Sequence, residues 1–320
     1  MDNLFKKAFE KIKESNNIVL ISHINPDGDA LGSSLSMYPV LKRMGKKVTI
    51  FNATKPLPEY LDFLPNFNKV TDKLPKDFDL MISFDCGSFD RLGIEKKTAF
   101  LINFDHHISN TEYGDINIID PNAASTSQVV YNFCKSNGID IDKESATCMY
   151  TALITDTGSF QYESVNDKVF EMAADMVRCG VEPAYVSKML FQRDRLSRLR
   201  LLAKAYETIE MCCDGRVAFV EVTREMMEIT GAIKEDTDTI VNSVRAIAPV
   251  EIAAMLREDE DGIKISLRSK NYADVSKIAV KYGGGGHIRA AGATLKGEFD
   301  FSKVKEMLKK DFQNLLKGDK

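Results

Sequence analysis

The four histidines of this 320-residue chain all lie among aspartates or glycines. His23 opens the segment His-Ile-Asn-Pro-Asp-Gly-Asp, and His106 and His107 directly follow Asp105. His287 comes immediately after four consecutive glycines. Imidazole and carboxylate groups bind divalent cations, and the backbone amides of glycine-rich loops bind phosphate. The distribution of histidine therefore indicates a metal-dependent enzyme.

The predicted elements of the first half place three of these polar clusters at one edge of a sheet. Apolar segments of strand length at 17–22, 80–84 and 100–104 alternate with helical segments, which favours a parallel sheet with helices on both faces. Ligands of such sheets bind beyond the carboxyl ends of the strands, so we expect the polar residues that follow these strands to converge. The other predicted elements are a strand at 47–51 and helices at 31–44, 125–134, 143–155 and 167–179.

The candidate metal ligands follow the predicted strands or end a predicted helix. Asp-Gly-Asp alone is usually a turn, and an aspartate after a strand is usually a helix cap, but their coincidence at successive strand ends favours a metal site. Four carboxylates in one pocket repel one another; two divalent cations would offset this, and Asp85 could bridge them. Oxygen and imidazole ligands favour Mn²⁺ or Mg²⁺. The candidates are His23, Asp27, Asp29, Asp85, His106 and Asp156.

The adjacent histidines need separate roles. Side chains of neighbouring residues on an extended segment point in opposite directions, so His106 and His107 are not expected to bind the same ion equally. One can be a ligand while the other faces the phosphate as a hydrogen-bond donor or general acid. The residues alone do not decide which is which. Ser125 and Thr126, at a predicted helix start, are interpreted as plain N-caps.

The residue pattern of the second half of the chain predicts a smaller α/β domain with a mixed sheet. Strands are predicted at 216–222 and 262–268, and helices at 238–248, 274–281 and 302–316. A helical, basic stretch within 181–208 separates the halves. We therefore predict a catalytic domain at 1–190, a helical linker at 191–211 and a substrate-binding domain at 212–320.

The candidate substrate-binding residues lie in this second half. The strand at 262–268 alternates apolar and polar residues, and Arg268 on its polar face can grip phosphate, although a solvated charge on an edge strand is the alternative. Gly284, Gly285 and Gly286 can cradle a phosphate with their backbone amides, although a flexible turn is the simpler explanation of glycines. His287, directly after these glycines, is a further candidate for holding the substrate, and a helix predicted to begin after it would add its positive dipole end.

Composition excludes several classes of protein. The net charge of −4 disfavours binding of long duplex nucleic acid, while leaving nucleotides and short oligonucleotides as substrates. The six cysteines show no C-x-x-C spacing, as is typical of intracellular thiols. No apolar stretch is long enough for a membrane span, and the first residues do not resemble a signal peptide. We expect a cytoplasmic protein without a membrane partner.

The chain resembles the DHH phosphoesterase superfamily, which is named for the run seen here as Asp105-His106-His107. The resemblance includes segments 23–33, 85–88 and 155–158. Segment 283–292 is similar to the signature of the DHH-associated domain. The family implies two lobes with the active site in the cleft between them. Within the superfamily, the chain is most similar to the nanoRNase and 3′-phosphoadenosine 5′-phosphate phosphatase group.

The resemblance implies roles for individual residues. His106 would be a ligand and His107 would contact the scissile phosphate. One Mn²⁺ would be held by His23, Asp27 and Asp85. The other would be held by Asp29, Asp85, His106 and Asp156. The implied activity is hydrolysis of short oligonucleotides, and of 3′-phosphoadenosine 5′-phosphate to AMP, through attack by a hydroxide that bridges the metals.

Two other functions stay open at this point. Relatives within the superfamily hydrolyse cyclic di-AMP or its linear di-adenylate product. A non-catalytic nucleotide- or RNA-binding protein is a remote alternative, which is disfavoured because no metal-ligand position of the pattern is lost. The preferred substrate, the cleavage polarity and the oligomeric state, a homodimer included, are not determined by the sequence.

Overall fold

The chain folds into two compact units, Met1–Arg193 and Asp194–Lys320, in a computed structural model that describes residues 1–297 and 300–318. Helix Leu196–Tyr206 falls in the segment predicted as a linker, and its Leu201 and Ala205 pack into an apolar core of the second unit. The assignment of catalytic and substrate-binding domains to these parts of the chain stays a prediction.

The first unit is built on a six-stranded sheet in which every neighbouring pair is parallel, as predicted. Its strand order is β3-β2-β1-β4-β5-β6. Two edge strands were not predicted, because one is only two residues long and the other is largely half-buried. The strands are β1 (Asn17–Ser22), β2 (Lys47–Phe51), β3 (Val70–Thr71), β4 (Leu80–Phe84), β5 (Phe100–Asp105) and β6 (Ile116–Ile119).

Both faces of this sheet are covered. Ile18 and Leu20 of β1 face a core to which the helices contribute, whereas Val19 and Ile21 face a smaller cluster. That second cluster is closed by a 3₁₀ turn, Phe89–Leu92, and by connecting segments in place of α-helices. The helices of this unit are α1 (Asp2–Glu14), α2 (Gly28–Arg43), α3 (Thr126–Ser136), α4 (Lys143–Asp156), α5 (Asp167–Arg178) and α6 (Pro183–Phe191).

Helix α2 begins three residues earlier than predicted, at Gly28. The side chain of Asp27 accepts hydrogen bonds from the backbone N–H groups of Asp29 and Ala30, which satisfies donors that have no partner within the helix. The Asp-Gly-Asp segment is therefore the start of a helix as well as a turn. This start fixes two candidate ligands on rigid backbone.

The second unit holds a mixed sheet of order β11-β12-β10-β9-β8-β7, in which β8 and β9 are parallel and the other pairs antiparallel. Its strands are β7 (Glu210–Cys212), β8 (Val217–Val222), β9 (Ile252–Asp259), β10 (Gly262–Ser269), β11 (Gly285–His287) and β12 (Ala290–Lys296). Its helices are α7 (Leu196–Tyr206), α8 (Arg224–Thr230), α9 (Ile240–Arg245), α10 (Val275–Lys281) and α11 (Phe301–Gly318).

The two faces of this second sheet are covered by different helices. Ile263, Ile265 and Leu267 of β10 are buried in a core with α10 and α11. On the opposite face, β8 and β9 are covered by α7 and α9, while the polar residues of β10 stay half-buried. The alternation predicted for β10 is thus present. Within the described residues, no helix has the length and apolar character that crossing a bilayer requires.

Candidate metal centre

Three neighbouring strands bring most of the predicted ligands to one edge of the first sheet. His23 follows β1, Asp85 follows β4, and β5 ends at Asp105, just before His106 and His107. Strands β1, β4 and β5 are adjacent and parallel, so their carboxyl ends meet. Asp85 has a φ of 54°, a left-handed conformation that is uncommon in residues other than glycine and that tends to occur at functional sites.

Two helices supply the remaining carboxylates. Asp27 caps α2, Asp29 lies in its first turn, and α4 ends at Asp156. The helices approach closely, since a Cβ atom at Gly32 would lie 2.6 Å from the backbone oxygen of Cys148 in α4. Only glycine permits this approach, which brings the start of α2 beside the end of α4.

The predicted ligands, together with His107, form three groups, and within each group the possible ligand atoms lie no more than 4.8 Å apart. Oδ2 of Asp85 lies 3.6 Å from Nε2 of His23, and Oδ1 of Asp85 lies 3.6 Å from Nε2 of His106. Asp85 therefore faces both sides of the cluster, as a shared ligand would. The groups are His23 with Asp27 and Asp85, Asp29 with His106 and Asp156, and Asp85 with His106 and His107.

Backbone carbonyl groups orient two of the imidazole rings. Nδ1 of His23 lies 2.8 Å from the carbonyl oxygen of Ile24, and Nδ1 of His106 lies 3.3 Å from that of Ala123. A hydrogen bond of this kind places the proton on Nδ1 and leaves the lone pair on Nε2. In both rings Nε2 is the nitrogen that faces carboxylates, so both rings are prepared for a cation.

The ring of His107 is held differently. Its Nδ1 lies 2.7 Å from Oδ1 of Asp105, a buried carboxylate. Burial alone would lower the pKa of His107, but this hydrogen bond and the charges of nearby aspartates outweigh it and raise the pKa to about 9. The expectation that the two adjacent rings point apart is wrong, since their centroids are 4.7 Å apart. Asp105 accepts from the backbone N–H groups of both histidines and so turns the chain after β5.

The electrostatics of the cluster favour bound cations. Burial, followed by repulsion from Asp85, raises the pKa of Asp29 and that of Asp156 well above the usual range. Burial would also raise the pKa of Asp85, but hydrogen bonding to His23 and the charges of the other histidines lower it. Carboxylates crowded in this way are stabilised by divalent cations. The donor set of carboxylate oxygen and imidazole nitrogen fits Mn²⁺ or Mg²⁺.

The start of α3 supports this cluster in a way that the sequence did not indicate. The backbone N–H of Thr126 donates to Oδ2 of Asp29 at 2.6 Å, and its hydroxyl donates to Oδ1 of Asp85 at 3.0 Å. Ser125 is the N-cap that was predicted, because its Oγ accepts from the backbone N–H of Gln128. Thr126 is instead a link between two candidate ligands. No sequence signal distinguishes such a threonine from a cap.

Three of the predicted substrate-binding residues of the second unit, Arg268, Gly285 and His287, share one face of its sheet, whereas Gly286 pairs with Ala291 on the core-facing side. Arg268 pairs with Ala290, which pairs in turn with His287, so all three lie in one row across β10, β12 and β11. The adjacent row on this face contains Gly292 opposite Gly285. The row and its neighbour thus form a surface of small residues flanked by a guanidinium and an imidazole.

Two sequence expectations for this region are wrong. No helix begins after His287: the chain turns at Ile288 and Arg289 and continues as β12, because β11 and β12 form a hairpin. Arg268 does not lie on an edge strand either, since β10 is flanked by β9 and β12. Its side chain is half-buried, and Nη1 donates to the carbonyl of Leu267.

Part of the glycine run has a structural cause. A Cβ atom at Gly284 would lie 2.0 Å from the carbonyl oxygen of Gly292, so this position requires glycine. A Cβ atom at Gly285 would meet nothing within 4 Å. The glycines that were predicted to cradle phosphate therefore include at least one that the hairpin itself demands.

Comparison with known proteins yields two sequence profiles that match this chain. The profile described as the DHH family, N-terminal domain, matches residues 17–153. The profile of the DHHA1 domain matches residues 218–315. The first covers every candidate ligand except Asp156, and the second covers the strands that carry Arg268 and His287.

Individual proteins are similar over most of their length. A bifunctional oligoribonuclease and PAP phosphatase NrnA from Thermus thermophilus is 35% identical over 283 residues, which are 88% of this chain and 84% of that protein. A probable protein of the same name from Streptococcus mutans is 27% identical over 95% of this chain and 99% of its own length. The crystal structure of an exopolyphosphatase-related protein from Bacteroides fragilis has a TM-score of 0.94, with 29% identity, 99% of this chain covered and 98% of that chain.

Proposed function

The chain belongs to the DHH family of phosphoesterases, and on this premise we propose that it hydrolyses short oligoribonucleotides and converts 3′-phosphoadenosine 5′-phosphate to AMP. The observation that carries the proposal is the convergence of aspartates and histidines around Asp85. The relative from Thermus thermophilus is named for both activities, which supports this pair of substrates.

Two Mn²⁺ ions are the proposed cofactor, with Mg²⁺ as a substitute. His23, Asp27 and Asp85 would hold one ion, and the ligands of the other would be Asp29, Asp85, His106 and Asp156. When bound, such ions lower the pKa of water and neutralise charge on phosphoryl oxygens. The 3.6 Å separations between Asp85 and the imidazoles on either side support its role as the shared ligand.

His107 is the proposed contact to the scissile phosphate. Its Nδ1 is engaged by Asp105 rather than by a backbone carbonyl, which supports a role distinct from those of His23 and His106. A protonated imidazole at this place can donate a hydrogen bond to a phosphoryl oxygen or a proton to a leaving oxygen.

The second unit supplies the proposed nucleotide-binding groups. Arg268 and His287 lie in one row of the sheet, next to the small residues Ala290 and Gly292. The glycines of this site are Gly284, Gly285 and Gly286. A guanidinium grips phosphate in a bidentate manner, which suits the terminal phosphates of short substrates. The placement of the active site in a cleft between the lobes stays a prediction.

A substrate panel tests this function. With Mn²⁺ present, the protein should hydrolyse 3′-phosphoadenosine 5′-phosphate and short oligoribonucleotides faster than long RNA or cyclic di-AMP. Asp85→Asn should lower turnover by about 100-fold or more and reduce bound metal, because both ions lose their shared ligand. Asp175→Asn is the control, since this carboxylate contacts Tyr131, Lys135 and Arg178 away from the cluster.

The outcome separates the alternatives. Faster hydrolysis of cyclic di-AMP than of the other substrates would replace the proposed substrate class. Failure of the wild type to bind metal, or full turnover by Asp85→Asn with two ions bound, would reject the proposed site.

A further inference from the structure

Asp105 lies between His107 and a second side chain, Asn110. The carboxylate is fully buried, with Oδ1 2.7 Å from Nδ1 of His107. Its other oxygen, Oδ2, accepts from the Nδ2 group of Asn110. Asn110, Asp105 and His107 therefore form a continuous chain of hydrogen bonds that ends at the proposed phosphate contact.

Both oxygens of the Asp105 carboxylate accept hydrogen bonds. Oδ1 accepts from the backbone N–H groups of His106 and His107 as well as from the His107 ring, and Oδ2 accepts from Asn110. Three of these four hydrogen bonds converge on Oδ1, and one is accepted by Oδ2. Asp105 is also not part of the three ligand groups found among the described residues. Its chemistry is orientation of a donor and not coordination of a cation.

Asn110 fixes Asp105 to the neighbouring strand end. Its Nδ2 group also donates to the carbonyl oxygen of Cys86 at 3.2 Å, and its Oδ1 accepts from the backbone N–H of Glu112 at 2.7 Å. Cys86 directly follows Asp85, the proposed shared ligand. The side chain of Asn110 thus connects the loop after β5 to the loop after β4. This connection fixes the position of the His107 ring relative to the metal cluster.

We propose that Asp105 and Asn110 are positioning residues for His107. Asp105 holds the proton on Nδ1, and Asn110 holds the carboxylate, so that the ring presents Nε2 to the reacting phosphate. A buried carboxylate that orients a histidine in this way fixes its tautomer and its ring plane. This inference rests on the proposed contact between His107 and the scissile phosphate.

The NMR signals of the imidazole nitrogens test this arrangement without any enzymatic assay. The chain has only four histidines, so their ¹H–¹⁵N correlations can be resolved in the Mg²⁺-loaded protein and assigned through His107→Gln. Asp105→Asn and Asn110→Ala should shift the His107 signals. Asn117→Ala is the matched control, because Asn117 also makes three hydrogen bonds in this loop region, to Glu112 and Gly114. It should leave the His107 signals in place.

Kinetics on linear di-adenylate test the consequence. Asn110→Ala should lower kcat by roughly 10–100-fold with KM changed less than about two-fold, because a positioning residue acts on the reacting geometry. In a His107→Ala background, Asn110→Ala should cause no further loss. Asn117→Ala should retain the wild-type kcat.

Specific results would overturn the inference. Unchanged His107 ring signals in Asp105→Asn and Asn110→Ala would show that the ring is held by other groups. An undiminished loss from Asn110→Ala in the His107→Ala background would show that Asn110 acts through the fold or the metals. Failure of the wild type to hydrolyse any phosphoester would reject the proposed function, while the ring signals would still test the positioning.

Discussion

The position of Arg268 in the sheet determines what its charge can do. A charged side chain on an exposed edge strand contributes little to stability. Arg268 instead lies on an interior strand, where it is half-buried and in the same row as His287. The residue between them, Ala290, is small and half-buried. A guanidinium held in this way is suited to binding phosphate.

Arg268→Ala should therefore weaken nucleotide binding more than it slows chemistry. We expect KM for 3′-phosphoadenosine 5′-phosphate to rise by about 10-fold, equivalent to roughly 1.4 kcal/mol, with little change in turnover of bis(p-nitrophenyl) phosphate. Steady-state kinetics on both substrates measure this split. Arg224→Ala is the control, because Arg224 is exposed and pairs with Glu258. Equal losses on both substrates would make Arg268 a structural residue.

The β11–β12 hairpin is the element in which structure and proposed substrate binding overlap. Gly284, the residue before β11, lies so close to β12 that a side chain there would clash with the carbonyl oxygen of Gly292. Gly285, the next residue, has open space where a Cβ atom would lie. The four consecutive glycines thus combine positions that the hairpin requires with at least one position that it leaves free.

Gly284→Ala should destabilise the second unit, whereas Gly285→Ala should not. Forcing a methyl group against backbone costs about 1–3 kcal/mol, while a substitution into open space is usually within about 0.5 kcal/mol. Urea denaturation followed by far-UV circular dichroism measures the free energy of unfolding, since the chain has no tryptophan to report it by fluorescence. Equal stability of the two variants would contradict the close packing of this hairpin. Reduced nucleotide affinity in Gly285→Ala would indicate that this position faces the substrate.

At the scale of the whole molecule, the parallel sheet of the first unit gathers negative charge at one edge. Buried or partly buried carboxylates converge there because adjacent parallel strands end together and because α2 and α4 bring two further chain segments to the same place. Burial and mutual repulsion raise the pKa of Asp29 and that of Asp156. The fold without cations therefore carries an electrostatic cost that bound metal would relieve.

Mn²⁺ should accordingly stabilise the folded protein, and chelation should reverse the effect. A ligand at 100 times its dissociation constant adds about 2.7 kcal/mol of stability. For a unit of this size, that corresponds to a rise of roughly 5–10 °C in Tm. Thermal unfolding with and without Mn²⁺ or EDTA measures the shift. Asp85→Asn should show a much smaller rise, and an equal rise in that variant would place the stabilising ions elsewhere.

The sequence by itself determined which residues are available for chemistry and which sheet edge they share. Apolar strands followed at once by His23, Asp85 or Asp105 predict convergence, because the ends of adjacent parallel strands meet. Alternation along β10 likewise predicted which of its residues face the core, and the resemblance of the motifs indicated the family. These inferences depend on chain order and residue type alone.

The tertiary structure decided how those residues are held. It set which nitrogen of His23, His106 and His107 faces a carboxylate, joined Thr126 to two candidate ligands and linked Asn110 to Asp105. It also replaced an expected helix after His287 by a hairpin turn. Hydrogen-bond partners are selected by distances of a few tenths of an ångström between segments that are far apart in the chain, and no spacing along the sequence encodes such distances.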